Sequence, residues 1–166
     1  MSAVTLTRLT PALADDLRRV TVTDDQVVFS GQPAEVIDLA DPLIDVHVIL
    51  YDDQVAGMFR IDRGFHQHHR FAASTQLGLR TFLIDQRFQG RGIAKACAAQ
   101  LHSYLSAQYG AAEAIVLTVN LRNPGARQVY LSGGFIDTGA QYMDGGAGPQ
   151  NILTLPLATP TDAETH

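Results

Sequence analysis

One segment constrains this chain more than any other: Phe82-Leu83-Ile84-Asp85-Gln86-Arg87-Phe88-Gln89-Gly90-Arg91-Gly92-Ile93-Ala94-Lys95. An apolar, β-rich run breaks on a glycine turn, Gln89 to Gly92, and a long helical pattern follows to about Tyr109-Gly110. Ile93, Cys97, Leu101, Tyr104 and Leu105 recur at helical spacing and define one buried face. Backbone N–H groups at a helix start have no intrahelical partner, and the helix dipole favours an anion there. Glycines let a phosphate come close to the main chain. The segment therefore reads as a phosphate or pyrophosphate cradle. Spacing excludes two kinds. A P-loop needs Gly-Lys-Ser/Thr where Gly92-Ile93-Ala94 stands, and a dinucleotide fingerprint needs a third glycine where Lys95 stands. On this segment alone, a plain strand-to-helix connection is the alternative.

The flanking sequence supplies the rest of an α/β domain. Val4 to Leu9 alternates like a half-buried strand, and Thr10-Pro11 predicts the cap and first residue of a helix through Val20. A weaker helical pattern covers Pro33 to Leu39. Val46 to Tyr51 and Gln54 to Ile61 are strands joined by an Asp52-Asp53 hairpin turn. A polar loop, Asp62 to Ser74, precedes a third strand, Leu77 to Ile84. After the long helix, Ile115 to Val119 is a buried strand. Asn123-Pro124 opens a short helix to Ser132, which Gly133-Gly134 ends. Phe135 to Tyr142 and Asn151 to Leu157 form a last strand pair around the loop Asp144 to Pro149. Residues 1–157 make one domain, and residues 158–166 read as a disordered tail.

Composition narrows the function. The 166 residues, 46% hydrophobic and 17% charged, suit one soluble core. No apolar run is long enough for a membrane helix, and the first residues lack the basic-then-apolar pattern, so no signal peptide is expected. Cys97 is the single cysteine, and a cytoplasmic setting is expected. A net charge of −5 opposes nucleic-acid binding. Between Pro11 and Asp45, eight acids (Asp15, Asp16, Asp24, Asp25, Glu35, Asp38, Asp41, Asp45) face only Arg18 and Arg19, a balance of −6. Such a stretch is either a solvated face or a field that concentrates cations.

Gln89-x-x-Gly92-x-Ala94 resembles the Q/R-x-x-G-x-G/A signature of the GNAT acetyltransferase superfamily. A second segment, Asn123-x-x-Ala126-x-x-x-Tyr130-x-x-x-Gly134-Phe135, begins 29 residues beyond Ala94 and is similar to that family's N-x-x-A-x-x-x-Y-x-x-x-G-F. The resemblance implies a mixed, mostly antiparallel central sheet flanked by helices, with acetyl-CoA as co-substrate. Main-chain amides from Gln89, Gly90, Arg91, Gly92, Ile93, Ala94 and Lys95 would then hold the pyrophosphate. Phe82, Leu83 and Ile84 would pair with the pantetheine arm, and an amide near Ile84 would polarise the thioester carbonyl. Asn123 would hydrogen-bond the pantetheine, and Tyr130 would protonate the departing thiolate. Arg91, Lys95 and Arg127 are candidate phosphate contacts. Gln86 stands where the family often has proline, a departure that bears only on the turn's rigidity.

The strings Leu79 to Asp85 and Phe88-Gln89-Gly90 are weakly similar to polyamine acetyltransferases. In this family the acidic N-terminal region usually lines the acceptor site, so the expected partner is a small cationic amine. A homodimer is compatible with these features. Rival readings are acetylation of protein N-termini or lysines, and acyl-CoA binding without turnover. The general base is not assigned: Leu77 to Ile84 holds no carboxylate, and Asp85, Asp62, Asp24, Asp25 or a water chain are candidates. His66-Gln67-His68-His69 lacks the helical spacing of a zinc pair and reads as a surface loop, so no metal site is expected. Cys97, Phe88 and Phe135 read as packing residues, as Tyr130 would without the family match.

Overall fold

A computed structural model describes residues 3–22, 41–143 and 148–157. The weak helix at Pro33 to Leu39, the acids Asp24, Asp25, Glu35 and Asp38, part of the loop after Tyr142, and the expected tail at 158–166 lie outside them. The described chain forms two compact units, Met1–Asp62 with Leu79–Cys97, and Arg63–Gly78 with Ala98–His166.

In the first unit, β1 (Val4–Arg8) pairs antiparallel with β2 (Ile44–Tyr51), and β2 pairs antiparallel with β3 (Gln54–Asp62). The predicted hairpin is present: Asp52 (φ 47°) and Asp53 (φ 67°) both take the left-handed conformation that a type I′ turn needs. Helix α1 spans Pro11–Arg18, shorter than expected, and the Thr10 side chain makes no capping bond. Its end is set by tightening. Arg19 and Val20 N–H groups donate to Asp16 and Leu17 carbonyls, three residues back, at 3.2 and 3.1 Å. Leu17, Val20, Val22, Val48, Val55, Met58 and Leu83 pack as one buried cluster.

Strand β4 (Gln76–Ile84) contributes its later residues to this unit and its first three to the second, where they run parallel to β5 (Ala114–Asn120). There β5 pairs antiparallel with β7 (Gln150–Pro156), and β7 with the edge strand β6 (Ile136–Tyr142). The strand order is β1-β2-β3-β4-β5-β7-β6, mixed and mostly antiparallel as the resemblance implied. Helix α2 (Ile93–Gln108) buries Ile93, Cys97, Leu101 and Leu105, while Tyr104 is half-buried; helix α3 is Pro124–Ser132. No helix among the described residues is long and apolar enough to cross a membrane.

The loop after β3 departs from the polar reading. A 3₁₀ turn, Phe65–Gln67, buries Phe65, and His69 stacks on its ring at 3.9 Å and 4°. Phe71 and Tyr142 close the aromatic cluster. Gly78 is the reason this works, because a side chain there would collide with the Phe65 ring.

Gly57 has the same kind of role beside β4: a Cβ on it would run into the Leu83 carbonyl oxygen. Backbone cannot rotate away as a side chain can. Gly57→Ala is therefore expected to destabilise the protein by about 1–3 kcal/mol, the usual cost of overpacking. Urea unfolding measures it, and an unchanged midpoint contradicts the close approach.

Candidate active site

The end of β4 is fastened by Asp85, which is fully buried. Its N–H donates to the Ala56 carbonyl at 2.7 Å, tying the strand end to β3. Its carboxylate accepts the Arg87 N–H at 2.9 Å, capping the 3₁₀ turn Gln86–Phe88, and also takes the Arg87 guanidinium, Nη2 at 2.8 Å and Nε at 3.1 Å. Hydrogen bonding to Asp85 raises the Arg87 pKa, and the charge attraction adds to it. Gln86 supplies rigidity by other means than proline. Its N–H donates to the Thr21 carbonyl at 2.8 Å, and its Nε2 to Thr21 Oγ1 at 3.1 Å.

The glycine turn follows. Gln89 folds back so that Nε2 donates to the Ile84 carbonyl at 3.3 Å. Gly90 (φ 80°) and Gly92 (φ 76°) are left-handed, and a Cβ on either would meet nothing within 4 Å. The main chain therefore faces open space there. Ala96 N–H donates to the Gly92 carbonyl at 3.0 Å, so the N–H groups of Ile93, Ala94 and Lys95 precede the helical ladder. Buried Ile93 anchors the turn, whereas Gln89, Gly90, Arg91, Gly92 and Lys95 are exposed. The Arg91 guanidinium lies over the Phe88 and Tyr51 rings at 5.6 and 5.9 Å. Phe88, expected to pack, does so while also seating this cation. Open amides, a helix N-terminus and exposed basic side chains suit an anionic, phosphate-bearing ligand.

In the second unit, the spacing of the second signature is explained by the two ends of α3. Asn123 is the N-cap, its side-chain oxygen accepting the Ala126 N–H at 3.3 Å. At the other end Phe135 N–H donates to the Tyr130 carbonyl (3.1 Å) and Gly134 N–H to the Leu131 carbonyl (3.2 Å), with Gly134 left-handed at φ 105°. That is a Schellman motif, which puts Tyr130 and Phe135 at its two apolar contact positions. Their rings meet edge to face at 5.6 Å. Tyr130 is thus buried and fixed in orientation. Arg127, a candidate phosphate contact, is bonded to Asp137 at 2.7 Å, and this bond lowers the Asp137 pKa.

Among the candidate bases, Asp62 is buried against Arg80 at 3.1 Å, and Asp85 is held by Arg87. Asp24 and Asp25 lie outside the described residues. Asp15 and Asp16 pair with Arg18 and Arg19 on the surface of α1, and Asp45 lies 3.7 Å from Arg8. Burial pushes the Cys97 thiol pKa well up, so it is a packing residue and not a nucleophile. Among the described residues no group of His, Cys, Asp or Glu is arranged to hold a metal.

The residues from Phe82 to Lys95 thus come together in one unit, and Asn123, Arg127 and Tyr130 on one helix of the other. Three features were not read from the sequence: the Asp85–Arg87 clamp, the Arg60–Thr81 contact, and buried His47. An Asp two residues before an Arg in a turn was a visible signal for the first.

Fold and signatures together are those of an N-acetyltransferase. The chain belongs to the Acetyltransferase (GNAT) family, whose model matches residues 14–135. A curated relative, an uncharacterized N-acetyltransferase, YbbJ of Bacillus subtilis (strain 168), is 29% identical over 157 residues, covering 90% of this chain and 95% of its own. Among solved structures, AAC(6')-Ib in a complex with acetyl-CoA superposes with a TM-score of 0.72 at 16% identity, over 98% of this chain and 96% of that one. The aminoglycoside acetyltransferase AAC(6')-Ib with coenzyme A and kanamycin gives 0.68 at 16% identity, over 98% of both chains. A spermidine N-acetyltransferase chimera from Vibrio cholerae and hSSAT gives 0.63 at 17% identity, over 92% and 95%.

His47 offers a test of the first unit's electrostatics. Its buried ring stacks on Phe59 at 5.1 Å, and burial lowers its pKa from 6.5 to about 4, with Arg8 acting in the same sense and Asp45 against it. The unfolded chain therefore takes up this proton near pH 6.5, but the folded chain only near 4. Stability is full above that window and falls with pH inside it, by up to ~1.4 kcal/mol per pH unit. His47→Phe should flatten this part of the acid limb in urea unfolding at about pH 7.5 and about pH 5. An equal wild-type-to-variant difference at both pH values contradicts the assignment.

Proposed function

We propose that this enzyme moves the acetyl group of acetyl-CoA directly to a primary amine, and that its acceptor is a small cation such as a polyamine. The observation that carries the acetyl-CoA reading is the open, left-handed turn at Gly90 and Gly92 in front of a helix whose first amides precede the helical ladder. Amides from Gln89 to Lys95 hold the pyrophosphate, with Arg91 and Lys95 adding charge. Arg127 already has Asp137 as its ion-pair partner, so it is the weakest of the candidate phosphate contacts. The Phe82–Ile84 backbone pairs with the pantetheine, and an amide near Ile84 polarises the thioester carbonyl. Asn123 spends its side-chain oxygen on the helix cap, which leaves its amide NH₂ as the group to donate to the pantetheine.

An amine of pKa ~10.4 arrives protonated, so it must first lose a proton. Asp62 and Asp85 are held in ion pairs, which leaves Asp24, Asp25 or a chain of waters to take that proton. The nitrogen forms a bond to the carbonyl carbon, the carbon–sulfur bond breaks, Tyr130 gives its phenolic proton to the leaving thiolate, and the surplus proton on the acylated nitrogen leaves through water, which restores the phenol. Positioning of two bound substrates replaces a covalent enzyme intermediate. The acidic balance of residues 11–45 supports a cationic acceptor, as do neighbours named for aminoglycosides and spermidine, both of which carry several amines. A chain with one cysteine, buried, suits a cytoplasmic setting.

If Tyr130 is the acid, Tyr130→Phe lowers kcat on the order of 10²-fold while acetyl-CoA affinity is retained. An unaltered kcat, with chemistry limiting, makes Tyr130 a packing residue. For the acceptor, release of free thiol is measured across polyamines, aminoglycosides, amino acids and basic peptides. Polyamines should be the best substrates, with KM rising with salt because exposed carboxylates are screened beyond about 8 Å at physiological ionic strength. Changing Asp24 and Asp25 together to Asn should raise acceptor KM more than it alters kcat. Turnover of neutral or anionic amines alone refutes the cationic acceptor, and turnover of basic peptides alone moves the assignment to protein substrates.

A further inference from the structure

Thr81 sits inside β4 with φ 53°, a left-handed conformation that β-branched residues avoid. Its hydroxyl is gripped by Arg60 of β3: Nε and Nη2 donate to Oγ1 at 3.0 and 2.9 Å. Beside it, Arg80 Nη1 bonds the buried Asp62 carboxylate at 3.1 Å. Arg60 and Asp62 are two residues apart and share one face of β3. They are nevertheless met by two successive residues of β4, which a regular strand would point to opposite faces. The kink therefore inserts a residue into the alternation, as a β-bulge does. Everything after it is turned accordingly. Phe82 stacks on Phe59 (6.1 Å, 20°), Leu83 enters the cluster with Met58 and Val48, the Leu83 carbonyl closes on Gly57, and Asp85 reaches Ala56.

We propose that Arg60 is a positioning residue for acetyl transfer, its fork on Thr81 holding the left-handed kink that aims the Phe82–Ile84 backbone at the thioester. This rests on the reading above, in which that backbone segment binds and polarises the acyl group. Thr81 supplies an oxygen short enough to be held and Arg60 a rigid two-pronged donor; a lysine at 60 has no second prong. The pyrophosphate turn begins five residues beyond Ile84 and is fastened separately by Asp85, so cofactor affinity and acyl positioning are separable.

The test compares Arg60→Met, Thr81→Val, Thr81→Ser and the double variant Arg60→Met/Thr81→Gly with wild type. Removing either partner should lower kcat ~10-fold or more, in line with what small misplacements cost, with acetyl-CoA Kd nearly unchanged. Thr81→Ser keeps the oxygen and should keep most of the rate. Glycine takes the left-handed conformation without help, so the double variant should recover the rate that Arg60→Met loses. A merely structural role would move unfolding midpoint without this rescue. The amide NMR shifts of Phe82, Leu83 and Ile84 form a second arm: they should move in Arg60→Met and return in the double variant. Unchanged kcat in Arg60→Met, or no recovery with glycine, overturns the proposal. If wild type acetylates no amine, the functional reading fails on its own, and unmoved NMR shifts in Arg60→Met then overturn the positioning claim separately.

Discussion

The buried carboxylate of Asp85 is the contact on which the glycine turn depends. Burying a carboxylate is costly unless it is paired and hydrogen-bonded, and Asp85 has both kinds of partner in a residue two positions on. One side chain thus fixes three things: the end of β4, the 3₁₀ turn after it, and the direction in which Gln89–Gly92 leaves. Removing it would leave the first turn of α2 with its amides but without a fixed aim. The guanidinium of Arg87 is largely exposed, at 65% of its side chain, so the pair is anchored by burial on one side only. Most of its value therefore lies in geometry and in satisfying Asp85.

Two forms of local closure serve the chemistry in different ways. The glycine turn works by facing its main chain to open space, whereas both ends of α3 are closed by local hydrogen bonds. Its N-cap and Schellman bonds make the second signature a self-contained structural device, in which Tyr130 is held by Phe135. In the proposed role of general acid, such a fixed ring would spare Tyr130 the loss of rotational freedom at each turnover.

The elements were largely legible in the sequence because periodicity and caps agree with the fold in most places. Val4 to Leu9, the Asp52-Asp53 hairpin, the long helix from Ile93, and Asn123-Pro124 with Gly133-Gly134 all carry local signals that tertiary packing reinforces. The misses are contacts distant in sequence. Leu77 to Ile84 reads as an ordinary strand, and nothing local marks Thr81 as left-handed; only Arg60, 21 residues away, shows why it is tolerated. The loop Asp62 to Ser74 reads as polar because the site that buries Phe65 is the missing side chain of Gly78, an absence with no hydrophobic signature. Asp62 and Asp85 looked like candidate bases because a carboxylate's partner cannot be read from composition. Thr10 has the right residue type for a cap, yet its hydroxyl is not used.

The claim that the Gln89–Lys95 turn is the acetyl-CoA cradle is tested most directly by titration calorimetry of acetyl-CoA into wild type and Gly92→Val. At Gly92 a side chain would point into open space and block the approach of pyrophosphate to the main chain, and a β-branched residue would also strain the left-handed backbone (φ 76°), so both effects act on the cradle itself. The expected result is saturable binding to wild type and none to the variant, with both showing the same circular dichroism spectrum. Undiminished affinity in a folded Gly92→Val protein would place the pyrophosphate elsewhere and contradict the assignment.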